Sequence, residues 1–260
     1  MNMYYPLQIP NILNKELPQY ISHTEEIIKS LQDFVICIWQ TKPLSKQKMP
    51  ATDVILTDGC IDLVVLCDSK EIGYSGMSKT NFNYTYDLPA TAFGARLKPG
   101  AFEQLTKISA KKAMDVFLPL NTIDASFDSS HFFSLKYEEA IEYFINYLQK
   151  LIGNKTPNKF VTLFDELIKN PPSAPTELYD KFNLSPLQCQ RYFAKHFGIA
   201  PQTVLSIIRF QYCLGILTSG EATPSEALEL AAFYDQSHFI KDFKKNIGLT
   251  PFEYLRRLSK

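Results

Sequence analysis

Residues 185–205 read SPLQCQRYFAKHFGIAPQTVL, and residues 235–255 read DQSHFIKDFKKNIGLTPFEYL. Set 50 positions apart without gaps, they place Arg191 on Lys241, Phe193 on Phe243, Lys195 on Lys245, Gly198 on Gly248, Ile199 on Leu249, Pro201 on Pro251 and Leu205 on Leu255. Coincident glycine and proline punctuation marks a duplicated supersecondary unit. Each copy reads as a helix with defined ends. Ser185 and Gln188 form a capping box with Pro186 at the first helical position, and Asp235 caps the second copy. Gly198 and Gly248 supply the left-handed residue that ends each helix, and the following proline opens the next. Cys189 and Phe193, like Phe239 and Phe243, stand four apart and share the face that must be buried.

The polar faces are the candidate functional surface. One carries Leu187, Gln190, Arg191 and Lys195, the other Ser237, Lys241, Lys244 and Lys245. A shorter helix precedes each copy across a tight turn: residues 176–182 (TELYDKF), and residues 224–233 (PSEALELAAF) opened by the box Thr223-Pro224-Ser225-Glu226. Helix, tight turn and capped helix make a helix-turn-helix, so two are expected, over about 176–198 and 224–248. Between them Thr203 to Leu217 is apolar nearly all round, as a helix buried by both units would be, and Ser219-Gly220 ends it. With a leading helix at 158–169, about seven helices are expected in residues 158–260.

The first 157 residues read differently. Val54-Ile55-Leu56 and Ile61 to Leu66 read as paired strands bounded by Asp58-Gly59 and Asp68-Ser69. Gly73 to Tyr86 alternates loosely. Ala92 to Leu97 reads as a strand before the turn Lys98-Pro99-Gly100, with a helical stretch from Ala101 to about Ile108. Tyr137, Ala140, Ile141, Phe144, Leu148, Leu151 and Ile152 keep helical spacing, a helix that packs on its own domain or on a partner chain. The fold class is α+β: a strand-rich domain at 1–157, then an all-α domain at 158–260.

Composition excludes much. Basic and acidic residues balance at 27 each, so bulk charge gives no argument for nucleic acid. Residues 158–260 hold 12 basic and 10 acidic side chains, a net of +2, which makes the distribution matter more than the total. The longest apolar runs, Phe34 to Trp39 and Ile61 to Cys67, fall far short of the ~18 residues that span a bilayer. The first ten residues lack an export signal, and five cysteines without a CxxC pair fit a reduced, cytoplasmic protein. His23, His131, His196 and His238 show no metal-ligand spacing, and no nucleophile motif occurs. Neither catalysis, a metal nor a cofactor is expected.

The C-terminal half resembles the DNA-binding domain of AraC/XylS-type transcription regulators. The resemblance rests on Tyr234-Asp235-Gln236-Ser237-His238-Phe239, Asp242-Phe243-Lys244-Lys245, Gly248 and Thr250-Pro251, with Leu184-Ser185-Pro186 and Arg191-Tyr192-Phe193 in the first copy. It departs in having Tyr179 and Leu228 where a small residue is usual and Ala232 where a glycine is; Ile240 falls near the DNA-facing side. The resemblance implies that the N-terminal turns of both recognition helices reach bases: Leu187, Gln190 and Arg191 in one, Gln236, Ser237 and Lys241 in the other. Lys195, Lys244 and Lys245 complete the cationic faces, which suit a phosphate-lined major groove. Two such helices on one rigid rod would enter successive grooves about one turn apart. Domains of DNA-alkylation repair, also found beside such modules, need a reactive cysteine in a metal set, and Cys37, Cys60 and Cys67 lack that spacing. A helical module that binds protein rather than DNA is the alternative.

Leu56-Thr57-Asp58-Gly59-Cys60-Ile61-Asp62-Leu63 and Phe93-Gly94-Ala95-Arg96-Leu97-Lys98-Pro99-Gly100-Ala101 resemble an uncharacterised sensor-like domain found ahead of AraC-type modules. By analogy of position this implies an effector-binding domain, in many such regulators a small, cupin-like β-barrel that dimerises through a helix. The implied partners are double-stranded DNA, a small-molecule effector and RNA polymerase, with the protein a monomer or homodimer and no membrane involved. Asp58, Asp62 and Arg96 could set two acceptors and a forked donor around a polar ligand. The commoner outcome for such residues is a hairpin turn at Asp58-Gly59 and a structural ion pair at Arg96. Tyr74, Phe82, Tyr84, Tyr86 and Phe93 could wall that pocket, although aromatics at strand spacing are more often core.

Overall fold

The structure is a computed structural model and describes residues 3–8, 14–231 and 235–258. Residues 232–234, and with them Ala232, Phe233 and Tyr234 of the sequence reading, lie outside the described residues, as does the side chain of Tyr86.

Among the described residues, eight strands precede most of the helices: β1 (Ile21–Glu26), β2 (Val35–Pro43), β3 (Met49–Ile55), β4 (Ile61–Leu66), β5 (Glu71–Ser75), β6 (Phe82–Leu88), β7 (Ala92–Leu97) and β8 (Phe117–Pro119). Six form an antiparallel sheet in the order β1-β2-β7-β4-β5-β8, and β3 pairs with β6 in a separate ribbon. The sheets do not close into a barrel, because the six-stranded sheet ends on β1 and β8 without pairing them. The strand pairing expected around Asp58-Gly59 is also corrected. β3 lies in the ribbon and β4 in the sheet, so the turn between them crosses from one sheet to the other instead of closing a hairpin. The loose alternation of 73–86 resolves into the end of β5 and most of β6, in different sheets.

The sheet's two faces differ. Leu63, Val65, Phe93, Ala95 and Leu97 point to a core built with α1 (Ala101–Thr106), α2 (Ser129–Phe132) and α3 (Tyr137–Ile152). Phe93 meets Phe144 of α3 edge-on at 5.4 Å and Tyr137 at 5.7 Å. The 137–152 helix therefore packs on its own domain through Ala140, Phe144, Leu148 and Ile152. Tyr74 and Phe93 are core residues, each 1% exposed.

Seven helices follow among the described residues: α4 (Leu163–Leu167), α5 (Pro175–Phe182), α6 (Pro186–His196), α7 (Pro201–Ser219), α8 (Pro224–Leu230), α9 (Gln236–Ile247) and α10 (Pro251–Leu258). The leading helix is shorter than the expected 158–169, since Asn158 bonds the backbone N–H groups of Phe160 and Val161 and holds that stretch as turns. The caps are as read. Gln188 N donates to Ser185 Oγ and Ser185 N to Gln188 Oε1, while His238 N donates to Asp235 Oδ1 at 2.8 Å. Gly198 and Gly248 take φ of +75° and +78°. The inward residue of α8 is Ala227, 0% exposed, next to Leu228.

α7 is buried along its length and seats both units, with Val204, Leu205 and Ile208 in the core shared with the sheet and Phe210, Leu214 and Leu217 in a second. The first core runs from the sheet through Phe160 and Phe164 into Phe182, Phe193 and Phe197. The second holds Phe239, Phe243, Ile247 and Tyr254, together with Leu56 from the strand half.

Candidate nucleic-acid interface and ligand pocket

The helix spacing that buries Cys189, Phe193 and His196 of α6 turns Leu187, Gln190, Arg191 and Lys195 to solvent, and all four are exposed. In α9 the burial of Phe239, Phe243 and Ile247 likewise leaves Gln236, Ser237, Lys241, Lys244 and Lys245 exposed. Asp242 of α9 accepts from the Ser206 hydroxyl of α7 with both carboxylate oxygens, at 2.9 and 3.0 Å, which pins the second helix to the rod. Ile240 is half-buried.

Lys195 differs from the rest. Its Nζ lies 3.1 Å from Glu103 Oε1 on α1, and His196 Nδ1 lies 2.9 Å from Glu103 Oε2. Gly198 sits so close to Met114 Sδ and the Ala110 carbonyl that a Cβ there would stand 2.8 and 3.0 Å from them. The C-terminal end of α6 is thus seated on the strand half, while its N-terminal turn projects freely. An ion pair with the lysine so exposed contributes about 0–1 kcal/mol, too little to hold Lys195 against a phosphate.

The second site is built by strand register. Arg96 of β7 faces Cys37 of β2 on one side and Asp62 of β4 on the other, so the three side chains leave the sheet on one face. Two pairs along the same strands, and so on the same face, Trp39 stands opposite Gly94, where a Cβ would lie 2.6 Å from the indole; only glycine leaves room for it. The Trp39 Nε1–H donates to Asp62 Oδ2 at 2.8 Å. Arg96 donates from Nη1 to Glu25 Oε1 at 2.7 Å, and its Nε lies 3.8 Å from Asp58 Oδ2 and 3.7 Å from Asp62 Oδ2. Asp58, Asp62 and Arg96 are therefore brought together, and all three line a cavity of about 500 Å³ between this face of the sheet and the β3–β6 ribbon. Phe82 and Tyr84 line it as well; Tyr74 and Phe93 do not.

Sequence reading missed Glu25, Trp39, Gln8 and Thr57 here, because nothing local ties them to Arg96. The lone Trp39 inside an apolar run was the one available signal. Asp58 Oδ1 accepts from the Cys60 N–H at 2.8 Å, the local turn that Asp-Gly implies, so the residue serves both turn and cavity.

Burial dominates the titration of this cluster. It pushes Asp62 up to about 7, against the pull of Arg96 and with the push of Asp58. Burial also raises Glu25, but bonds from His23, Arg96 and Tyr5 outweigh it and bring the carboxyl down to about 2. Burial pushes Cys37 up to about 12, so it stays a thiol at neutral pH. An acid whose folded pKa is raised contributes stability that is complete below its unfolded value near 4 and lost as pH rises through about 7. Asp62→Asn is accordingly expected to raise the melting temperature more at pH 8 than at pH 5; an equal shift at both would contradict it. Among the described residues no group of three or more His, Cys, Asp or Glu could hold a metal ion, and no helix is long and apolar enough to cross a membrane.

The walls of the cavity are also bonded to the helical half. Leu56 is in the core of the second helix-turn-helix. The next residue, Thr57, accepts at its carbonyl from Gln211 Nε2 of α7 at 3.1 Å, and the Asp58 carbonyl accepts from Tyr4 Oη at 2.6 Å. Residues 4–8 staple the two halves: Tyr4 N donates to Asp165, Leu7 N to Gln211 Oε1, and Gln8 bonds both Leu56 and Asp58.

Comparison with known proteins places both parts. Residues 178–257 match the family described as helix-turn-helix domain, and residues 28–119 match a domain of unknown function (DUF6597). No curated protein matches the chain. Among solved structures, the C-terminal domain of AraT, a response regulator from Geobacillus stearothermophilus, is 24% identical over 36% of this chain and 78% of its own, with a TM-score of 0.33. ToxT from Vibrio cholerae is 11% identical over 93% of this chain and 100% of its own, at 0.42. With unsaturated fatty acid bound, ToxT is 10% identical over 92% and 95%, at 0.41.

Proposed function

We propose, from the match of residues 178–257 to a helix-turn-helix domain family, that the chain is a sequence-specific DNA-binding transcription regulator of AraC type governed by a small molecule held in its strand-rich half. The observation that carries the reading is the pair α6 and α9, each capped, each cationic on its exposed side, and both seated on α7. Leu187, Gln190, Arg191, Gln236, Ser237 and Lys241 would meet base edges, with Lys195, Lys244 and Lys245 on phosphates. Residues 1–157 form the sensing half and 158–260 the DNA-binding half, and the protein works where the DNA is, in the cytoplasm. It is read as a regulator and not as an enzyme.

Support for control by a ligand comes from residues 56–58, which wall the cavity and bond the rod that holds both helices. A ligand that fits one arrangement of this wall better than another shifts α7 by that difference in affinity. Selection of bound sequences from a random duplex pool tests the main reading. An asymmetric site with two short boxes about ten base pairs apart is expected, the spacing of successive major grooves on one side of B-DNA. A pool that enriches no sequence would transfer the helical half to the protein-binding alternative.

A further inference from the structure

We infer that the cavity's ligand is a protonated amine on an apolar or aromatic body, an inference that rests on reading the cavity as the effector site. Among the described residues, six carboxylate residues line the cavity, Asp53, Asp58, Asp62, Asp68, Glu71 and Asp87, against one guanidinium, Arg96, and one imidazole, His23. The guanidinium does not balance even its own end. Its close partner is Glu25 at 2.7 Å, which is not in the cavity wall, while Asp58 and Asp62 stand at 3.8 and 3.7 Å. Three carboxyl groups share one guanidinium, with His23 beside Glu25 at 3.5 Å. A buried negative excess is costly unless it is paired, a cost that shows in the raised Asp62 and that a bound ammonium group would relieve.

The wall residues Arg96 and Thr57 each hold a buried polar atom without a hydrogen bond. Arg96, 5% exposed, has no acceptor at Nε, and Thr57, 3% exposed, has no partner at Oγ1. Native interiors seldom leave such atoms unmet, and an occupant that carries a hydroxyl next to its ammonium group would offer them an acceptor beside its own N–H donors. Trp39, Phe82, Tyr84 and Phe117 bring aromatic surface, and Val54, Leu56, Val64 and Leu66 bring apolar surface. An ammonium group is attracted to aromatic faces as well as to carboxylates. An anionic ligand would add its charge to Asp58 and Asp62 and would find the Nη1 donor of Arg96 already engaged by Glu25.

The chain's single tryptophan, Trp39, stands in the wall and reports occupancy by its fluorescence. Three probes share a phenyl ring and a hydroxyl and differ in one group: 2-amino-1-phenylethanol, 1-phenylethane-1,2-diol and mandelate. With the full chain, the amine is expected to give a saturable change at a concentration at least about tenfold below the diol and mandelate, the step that one favourable charge contact of about 1.4 kcal/mol produces. Asp62→Asn, with folding verified by its melting curve, is expected to erase the preference for amine over diol. Saturable binding that favours mandelate or the diol overturns the ligand class and leaves the cavity a binding site. A preference for the amine that survives both Asp62→Asn and Asp58→Asn also overturns it. No saturable change with any of the three overturns the inference and the effector-site reading together.

Discussion

Phe243→Ala is expected to release the second helix-turn-helix from the rod while the first stays folded. Phe243 is 1% exposed and packs on Phe210, Phe239 and Tyr254 at ring separations of 5.5–5.8 Å. Truncating a buried phenylalanine costs about 3–5 kcal/mol, the lost transfer energy plus the cavity left behind. The two units do not share that loss equally. Phe193, the counterpart of Phe243 in the repeat, belongs to the core continuous with the sheet, and α6 is further seated on the strand half through Glu103 and Gly198. The second unit has its own smaller core, reinforced from the strand half by Leu56. Hydrogen exchange should therefore show lost amide protection across residues 236–258 with protection kept across 186–197. On DNA, affinity for a two-box duplex should fall to that of a duplex whose second box is scrambled. Uniform loss of protection in both units would mean that α7 and the two cores unfold as one.

Arg191→Ala is expected to weaken binding to a selected duplex by about 1–3 kcal/mol, roughly 5- to 150-fold, and to relax preference at one base position. Arg191 is exposed on the first projecting turns of α6, the part of that helix not held against the strand half. Lys244→Ala serves as its counterpart. A lysine on a phosphate carries no sequence information, so affinity should drop alike for all duplexes and the salt dependence should flatten by about one unit of slope. Lys195→Ala should behave like Lys244→Ala but more weakly, because Glu103 already competes for that ammonium group. Unchanged duplex binding in both Arg191→Ala and Lys244→Ala would remove these faces from the interface.

What was readable from the chain follows the range of the interactions involved. The box of Ser185 with Gln188, the Asp235 cap and the positive φ of Gly198 and Gly248 each involve residues three or four apart, or one residue alone. Their consequences are visible without knowing the rest of the fold. The burial of α7 was readable for a related reason: a helix apolar all round has no face to give to water. The strand half offers fewer such signals. The first half of β2, Val35 to Trp39, is a continuous apolar stretch because most of it is buried on both faces, a pattern that does not distinguish strand from helix. β3 and β4 looked like partners because they are adjacent, yet strand pairing is a choice among distant segments, and here the ribbon took β3.

By itself, then, the chain determined the twin helix-turn-helix, its caps, its buried faces and its outward cations, since these are set by helical periodicity and by bonds between near neighbours. Tertiary structure alone decided that Glu25, Trp39, Asp62 and Arg96 meet, and that residues 56–58 join a cavity to the rod. The physical reason is register. A side chain's face on a sheet is local, but its cross-strand neighbours depend on how segments tens of residues apart align, and a slip of one residue would have turned Arg96 into the opposite core.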